Sequence, residues 1–209
     1  MPNAKGGSRC IPLLASTLLF VIAWPQAIVA QDTPANYVVL QGGMSIPTGD
    51  FKDAKFEKGV TLALFYGRHL HPNFVLEAGA QVFHFEGGNT DSLIGAAFYD
   101  RDLIAWMIPL TAKGVYRDGK FGLTAGGGVD LVLPLMEWKV RTPGSEEESE
   151  TATAVGFHFL AGIGFDVTRL WYLGLEGKYL ITPDARFGDA EVGVNINGAF
   201  ATLTVGLRF

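Results

Sequence analysis

From about Asn36 to the C-terminus the chain alternates between two textures. Segments of roughly 10 to 14 residues carry apolar side chains at every second position, and stretches rich in Gly, Pro, Asn and Asp separate them. A period of two is the mark of a strand with unlike faces, and about ten residues is the length a tilted strand needs to cross a bilayer. The pattern predicts eight strands, over 36–46, 60–70, 74–85, 103–116, 121–133, 154–167, 171–182 and 196–209. Their connections alternate in length. Tight turns follow the second, fourth and sixth strands, at His71-Pro72-Asn73, Arg117-Asp118-Gly119-Lys120 and Thr168-Arg169-Leu170. Long loops follow the first, third, fifth and seventh. An even strand number with short turns at one end and long loops at the other is the pattern of a transmembrane barrel with its turns and termini in the periplasm.

The last strand separates its faces most cleanly. Ala201, Leu203, Val205, Leu207 and Phe209 point one way, and Thr202, Thr204, Gly206 and Arg208 the other. If the apolar face meets lipid, the other face fills the lumen. By the same parity Glu77, Lys113, Asp130, Glu176 and Lys178 point inward, with Gln81, Thr111, Thr124 and His158 and several glycines. Eight strands enclose room for side chains or one small ligand, and a buried charge needs a partner. These five residues are therefore expected to form a luminal charge network. Either it plugs the barrel or it lines a narrow channel; the residues are the same in both cases. Phe74, Tyr116, Phe121 and Trp171 fall beside the short turns, where an interfacial aromatic girdle is expected. Pro109 within the fourth strand predicts a local bulge, because proline cannot donate to a ladder.

The first 30 residues belong to a different object. Lys5 and Arg9 precede an apolar stretch from about Ile11 to Trp24, and Ala27-Ile28-Val29-Ala30 ends it before Gln31-Asp32. That is the order of a cleaved secretory signal peptide. Pro12, Ser16, Thr17 and Pro25 leave too short a run for the roughly 20 residues of a spanning helix. Cleavage after Ala30 leaves 31–209 as one domain. Losing Lys5 and Arg9 reduces the 16 Lys+Arg to 14 against 21 Asp+Glu, a net charge of −7, which argues against a nucleic-acid partner. The single cysteine, Cys10, leaves with the signal, and Arg9 before it breaks a lipoprotein cleavage box. Beyond residue 30 no apolar run reaches 18 residues, so spanning helices are excluded and a closed barrel is the remaining way to satisfy the backbone in lipid.

With these motifs in hand a resemblance can be stated. The stretch Gly43-Met44-Ser45-Ile46-Pro47-Thr48-Gly49-Asp50-Phe51 followed by Gly59, the Ile108-Pro109-Leu110 run and the closing Gly206-Leu207-Arg208-Phe209 resemble the outer membrane protein β-barrel domain family of OmpA-type, OmpW-type and opacity-type small barrels. The resemblance covers roughly 36–209. It implies an all-β, eight-stranded, antiparallel up-and-down barrel in the outer membrane of a Gram-negative envelope. It also implies that Phe209, with Leu207, Val205 and Leu203, is the sorting signal read by the barrel-assembly machinery. Unlike full-length OmpA proteins, the chain shows no peptidoglycan-binding segment after the barrel.

Other chemistry is weak. Glu146-Glu147-Glu148-Ser149-Glu150 reads as a solvated, mobile loop. His69 and His71 share a spacing that suits two ligands but lack a third. His84 and Glu86 hint at acid–base work, yet no convergent Ser–His–acid set is evident. No cofactor and no catalytic role are expected. The leading expectation is a monomeric barrel with a structural and surface-interaction role, in contact with outer-membrane lipid and lipopolysaccharide. A narrow pore or small-hydrophobe conduit of the OmpW kind is the alternative, a lipid-modifying barrel the third reading, and a soluble lipocalin-like barrel the rival at the level of fold.

Overall fold

The computed structural model describes residues 36–53, 55–87, 99–140, 148–186 and 193–209. The export signal expected over 1–30 lies outside the described residues, as do Glu146 and Glu147 of the acidic run. Within them the strands are β1 (Asn36–Pro47), β2 (Gly59–His71), β3 (Phe74–Phe85), β4 (Tyr99–Asp118), β5 (Phe121–Val140), β6 (Glu148–Thr151), β7 (Ala154–Asp166), β8 (Trp171–Ile181), β9 (Asp184–Arg186), β10 (Gly193–Asn195) and β11 (Gly198–Arg208). A single helical turn, α1 (Asp50–Asp53), follows β1.

Among the described residues eight of these strands close into a barrel. Each pairs antiparallel with its neighbour in the chain, in the order β1-β2-β3-β4-β5-β7-β8-β11. The seam between β11 and β1 runs from Tyr37↔Arg208 to Pro47↔Gly198. Beyond it Asn36 and Phe209 exchange backbone hydrogen bonds of 3.2 and 2.9 Å. No sheet edge is left among these eight, so every strand can sit in hydrocarbon. The predicted strands match in order and parity. The third coincides with β3, while β4 and β5 extend well past the predicted 103–116 and 121–133 toward the loop end.

Two further differences have physical causes. Pro109 lies in β4 without a bulge. It pairs with Asp130 in unbroken register on the β5 side, and on the β3 side the ladder skips Gly79 and Ala80 and resumes unshifted. The missing donor removes paired positions rather than inserting a residue. The register shift falls instead between His69 and His71, beside the turn at Pro72-Asn73. The acidic run also departs from the expected mobile loop, since Glu148–Thr151 pairs with Leu135–Trp138 as β6.

The parity of the strands decides the environment of each side chain. Leu203 is 67% exposed, and Leu40, Leu62, Leu64, Trp106, Phe159 and Leu175 are exposed with it. Glu77, Gln81, Lys113, Asp130, Glu176 and Lys178 are buried. A water-soluble barrel would have the opposite assignment, so the lipocalin-like alternative fails here. Phe74, Tyr116, Phe121 and Trp171 are exposed beside the short turns, with Phe121 packed against Phe165 at a ring separation of 5.1 Å. Such a ring of aromatics is where an interfacial girdle belongs. Among the described residues no helix is long and apolar enough to cross a membrane.

Candidate functional site: the lumen

The inward faces build two different fillings, one above the other. At mid-height Lys113 of β4 lies 2.6 Å from Glu77 of β3 and 2.6 Å from Glu176 of β8. Both carboxylates take further donors: Tyr37 Oη donates to Glu77 at 2.5 Å and Gln41 Nε2 to Glu176 at 3.0 Å. Lysine carries one charge and the two carboxylates carry two, so the extra hydrogen bonds matter. They solvate the negative charge that Lys113 alone leaves over.

The other two members of the expected network go elsewhere. Lys178 Nζ donates to Gln81 Oε1 at 2.8 Å and lies 5.0 Å from the centre of the Phe65 ring. Among the described residues no carboxylate is within ion-pair distance of it. Gln81 in turn donates to Thr61 at 2.9 Å. Asp130 pairs with His158, Oδ2 to Nδ1 at 2.7 Å, while His158 Nε2 meets Thr111 Oγ1 at 3.0 Å. The order hydroxyl, imidazole, carboxylate is that of a nucleophile relay. Here it is sealed: His158 is 0% exposed, and Thr111 and Asp130 are buried beside it. The set ties the neighbouring strands β4, β5 and β7 together on the inner face of one wall, and Gly128 makes room for it, since a Cβ there would stand 2.8 Å from His158 Cε1. Asp130 Oδ1 has no hydrogen-bond partner.

Toward the loop end the filling turns apolar. Phe83, Phe85, Leu103, Ala105, Met107, Val132, Leu180 and Phe200 project inward and are buried. Phe51 of α1 and Phe56 after it turn back into the mouth and complete the cluster, with Phe51 4.7 Å from Phe56 and 6.0 Å from Phe85 between ring centres. The segment is tied down at several points. Asp50 Oδ2 accepts from Asn195 N and Nδ2 at 3.2 and 3.1 Å, and Glu57 N donates to Glu86 O.

Toward the turn end the lumen holds a cavity of about 70 Å³. Its lining includes the ionic trio on the inner side and Tyr37, His69, Arg117, Asp166, Tyr172 and Arg208 nearer the turns. Arg208 Nη2 donates to Asp166 Oδ1 at 2.6 Å and its guanidinium sits 4.7 Å from the Tyr172 ring centre. His69 faces Arg117 at 3.4 Å and not a metal partner; the register shift separates it from His71. At the opposite end His84 lies 3.8 Å from Asp102, not against Glu86.

Sequence parity therefore places all five charged residues in the lumen, and the structure assembles three of them. Tyr37, Gln41 and the Arg208–Asp166 pair were absent from the expected network. So was His158 as the partner of Asp130. Parity alone contained the signal for each, because all lie on inward positions.

An apolar belt outside, a polar and aromatic filling inside and a closed ladder define an integral membrane barrel of the outer-membrane type. The comparisons agree and carry the assignment further. The chain belongs to the outer membrane protein beta-barrel domain family, whose model matches residues 13–209. No curated protein sequence matches it. Solved structures are similar in fold. Neisserial surface protein A is 14% identical, with a TM-score of 0.55 over 83% of this chain and 97% of that one. Ail, the attachment invasion locus protein of Yersinia pestis, is 12% identical, with a TM-score of 0.53 over 85% and 99%. The outer membrane protease OmpT from Escherichia coli is 10% identical, with a TM-score of 0.52 over 88% and 99%.

Proposed function

We propose that this protein is a sealed outer-membrane barrel with a structural role that presents its long loops at the cell surface. Its signal peptide is removed after Ala30, its turns and termini face the periplasm, and it works as a monomer in contact with lipid and lipopolysaccharide. The outward row Leu203, Val205, Leu207 and Phe209 on the closing strand serves as the assembly signal. One observation carries the reading: the lumen is filled at two levels by unlike means. A water path from the turn end meets Lys113 between Glu77 and Glu176, and beyond them a dry cluster roofed by Phe51 and Phe56. No catalytic step is assigned, because the Thr111–His158–Asp130 set lacks access to a substrate.

Planar-bilayer recording of the purified barrel tests this. The expected trace has no discrete steps; stable unitary conductance in the unmodified protein would replace the sealed barrel by a narrow pore. That second reading draws its support from the turn-end cavity, which brings solvent space up to the ionic trio.

A further inference from the structure

We propose that the turn-end cavity is a binding site for a small tetrahedral oxyanion, phosphate or sulfate, held between Arg117 and Arg208. The inference does not rest on the sealed-lumen reading, since it concerns the cavity below the ionic trio.

The two guanidiniums line one cavity, and their donors are poorly used. Arg117 Nη2 donates to His69 Nε2, a long contact of 3.4 Å to a neutral acceptor. Among the described residues no carboxylate lies within ion-pair distance of Arg117. Arg208 is 7% exposed, gives one nitrogen to Asp166, and leaves Nε without a partner. Each arginine has five N–H donors in a planar fork suited to oxyanions. At the mouth, two permanent positive charges thus face one carboxylate. Charge-assisted hydrogen bonds to an anion would satisfy what Asp166 does not.

Size sets the class of ligand. A volume of 70 Å³ accommodates about five water-sized spheres, enough for a tetrahedral ion and too little for a sugar or nucleotide. Electrostatics set its depth. Lys113 balances only one of the two charges of Glu77 and Glu176, and the remainder repels an anion from the inner wall, so the favourable position lies toward the turns.

The experiment uses the barrel extracted in octyl glucoside, whose neutral head group supplies no phosphate. Inorganic phosphate is titrated against chloride at matched ionic strength, read by the width of the phosphorus-31 resonance and by the melting temperature. Saturable broadening and an anion-specific rise in melting temperature are expected. Arg117→Gln should weaken phosphate about tenfold, the loss of one charge-assisted contact. Arg117→Lys should fall between, and Lys52→Gln at the loop end should leave binding unchanged. Arg117 is half-buried and outside the ionic trio, so its variants should fold even where Arg208 variants do not. Glycerol phosphate separates a free ion from an esterified head group: the cavity admits only the former. Equal effects of chloride, full affinity in Arg117→Gln, or equally tight binding of the ester would each overturn the proposal.

Discussion

The loop half and the turn half of the lumen hold their strands apart with different materials. The loop half is dry, with Phe83, Phe85, Met107, Leu180 and Phe200 interlocked under Phe51 and Phe56. The turn half is ionic, with Lys113 clamped by two carboxylates above a cavity edged by arginines. The two halves fail in different ways when altered. An apolar filling tolerates loss of volume at a graded cost, because neighbours relax into part of the space. An ionic filling has no such grading: removing one member leaves a buried charge without the opposite charge that balanced it. The outer surface gives no hint of this division, since the lipid-facing belt is apolar beside both halves.

The sharpest way to break the comparison is Lys113→Ala. It leaves Glu77 and Glu176 facing each other and should cost about 3–5 kcal/mol, read from urea unfolding in micelles. Triple replacement by Glu77→Gln, Lys113→Met and Glu176→Gln should recover most of that loss. If the single variant is no worse than a surface substitution, the trio does not organise the turn half. Phe83→Ala probes the other filling and should cost about 3 kcal/mol, with an m-value close to that of the unaltered barrel. Asp130→Asn keeps the shape but weakens the bond to His158; thermal melting should show a loss of about 1–3 kcal/mol. Pro109→Ala should have the smallest effect, within about 1 kcal/mol in the same assay. It returns a donor to a place where the ladder is merely interrupted, not kinked.

How far the sequence could be read follows the same division. Strand parity was legible wherever the inner face is polar, because lipid demands an apolar residue at every second position, so the facing of Leu203, Glu77 and Lys178 follows from the sequence alone. The pairing inside the lumen was not legible, since parity gives the side and not the height or azimuth. Asp130 and Lys178 looked like members of one network with Glu176, yet barrel tilt delivers Asp130 to His158 and Lys178 to Gln81. The dry half was missed for a different reason. Near the loop end both faces of β3 and β4 are apolar, as at Val82-Phe83 and Trp106-Met107, so the alternation that identified a lumen disappears there. Phe51 and Phe56 lie outside any strand, where periodicity carries no information about burial.

The seam between β1 and β11 fixes the timing of folding. Residues 36–47 have one of their two neighbours only when residues 198–208 exist, so a ribosome must finish the chain before the sheet can become a cylinder. Until then the first strand offers an unsatisfied flank and a lipid-loving face to whatever surrounds it. Any shortening at the far terminus would leave the near one without a partner.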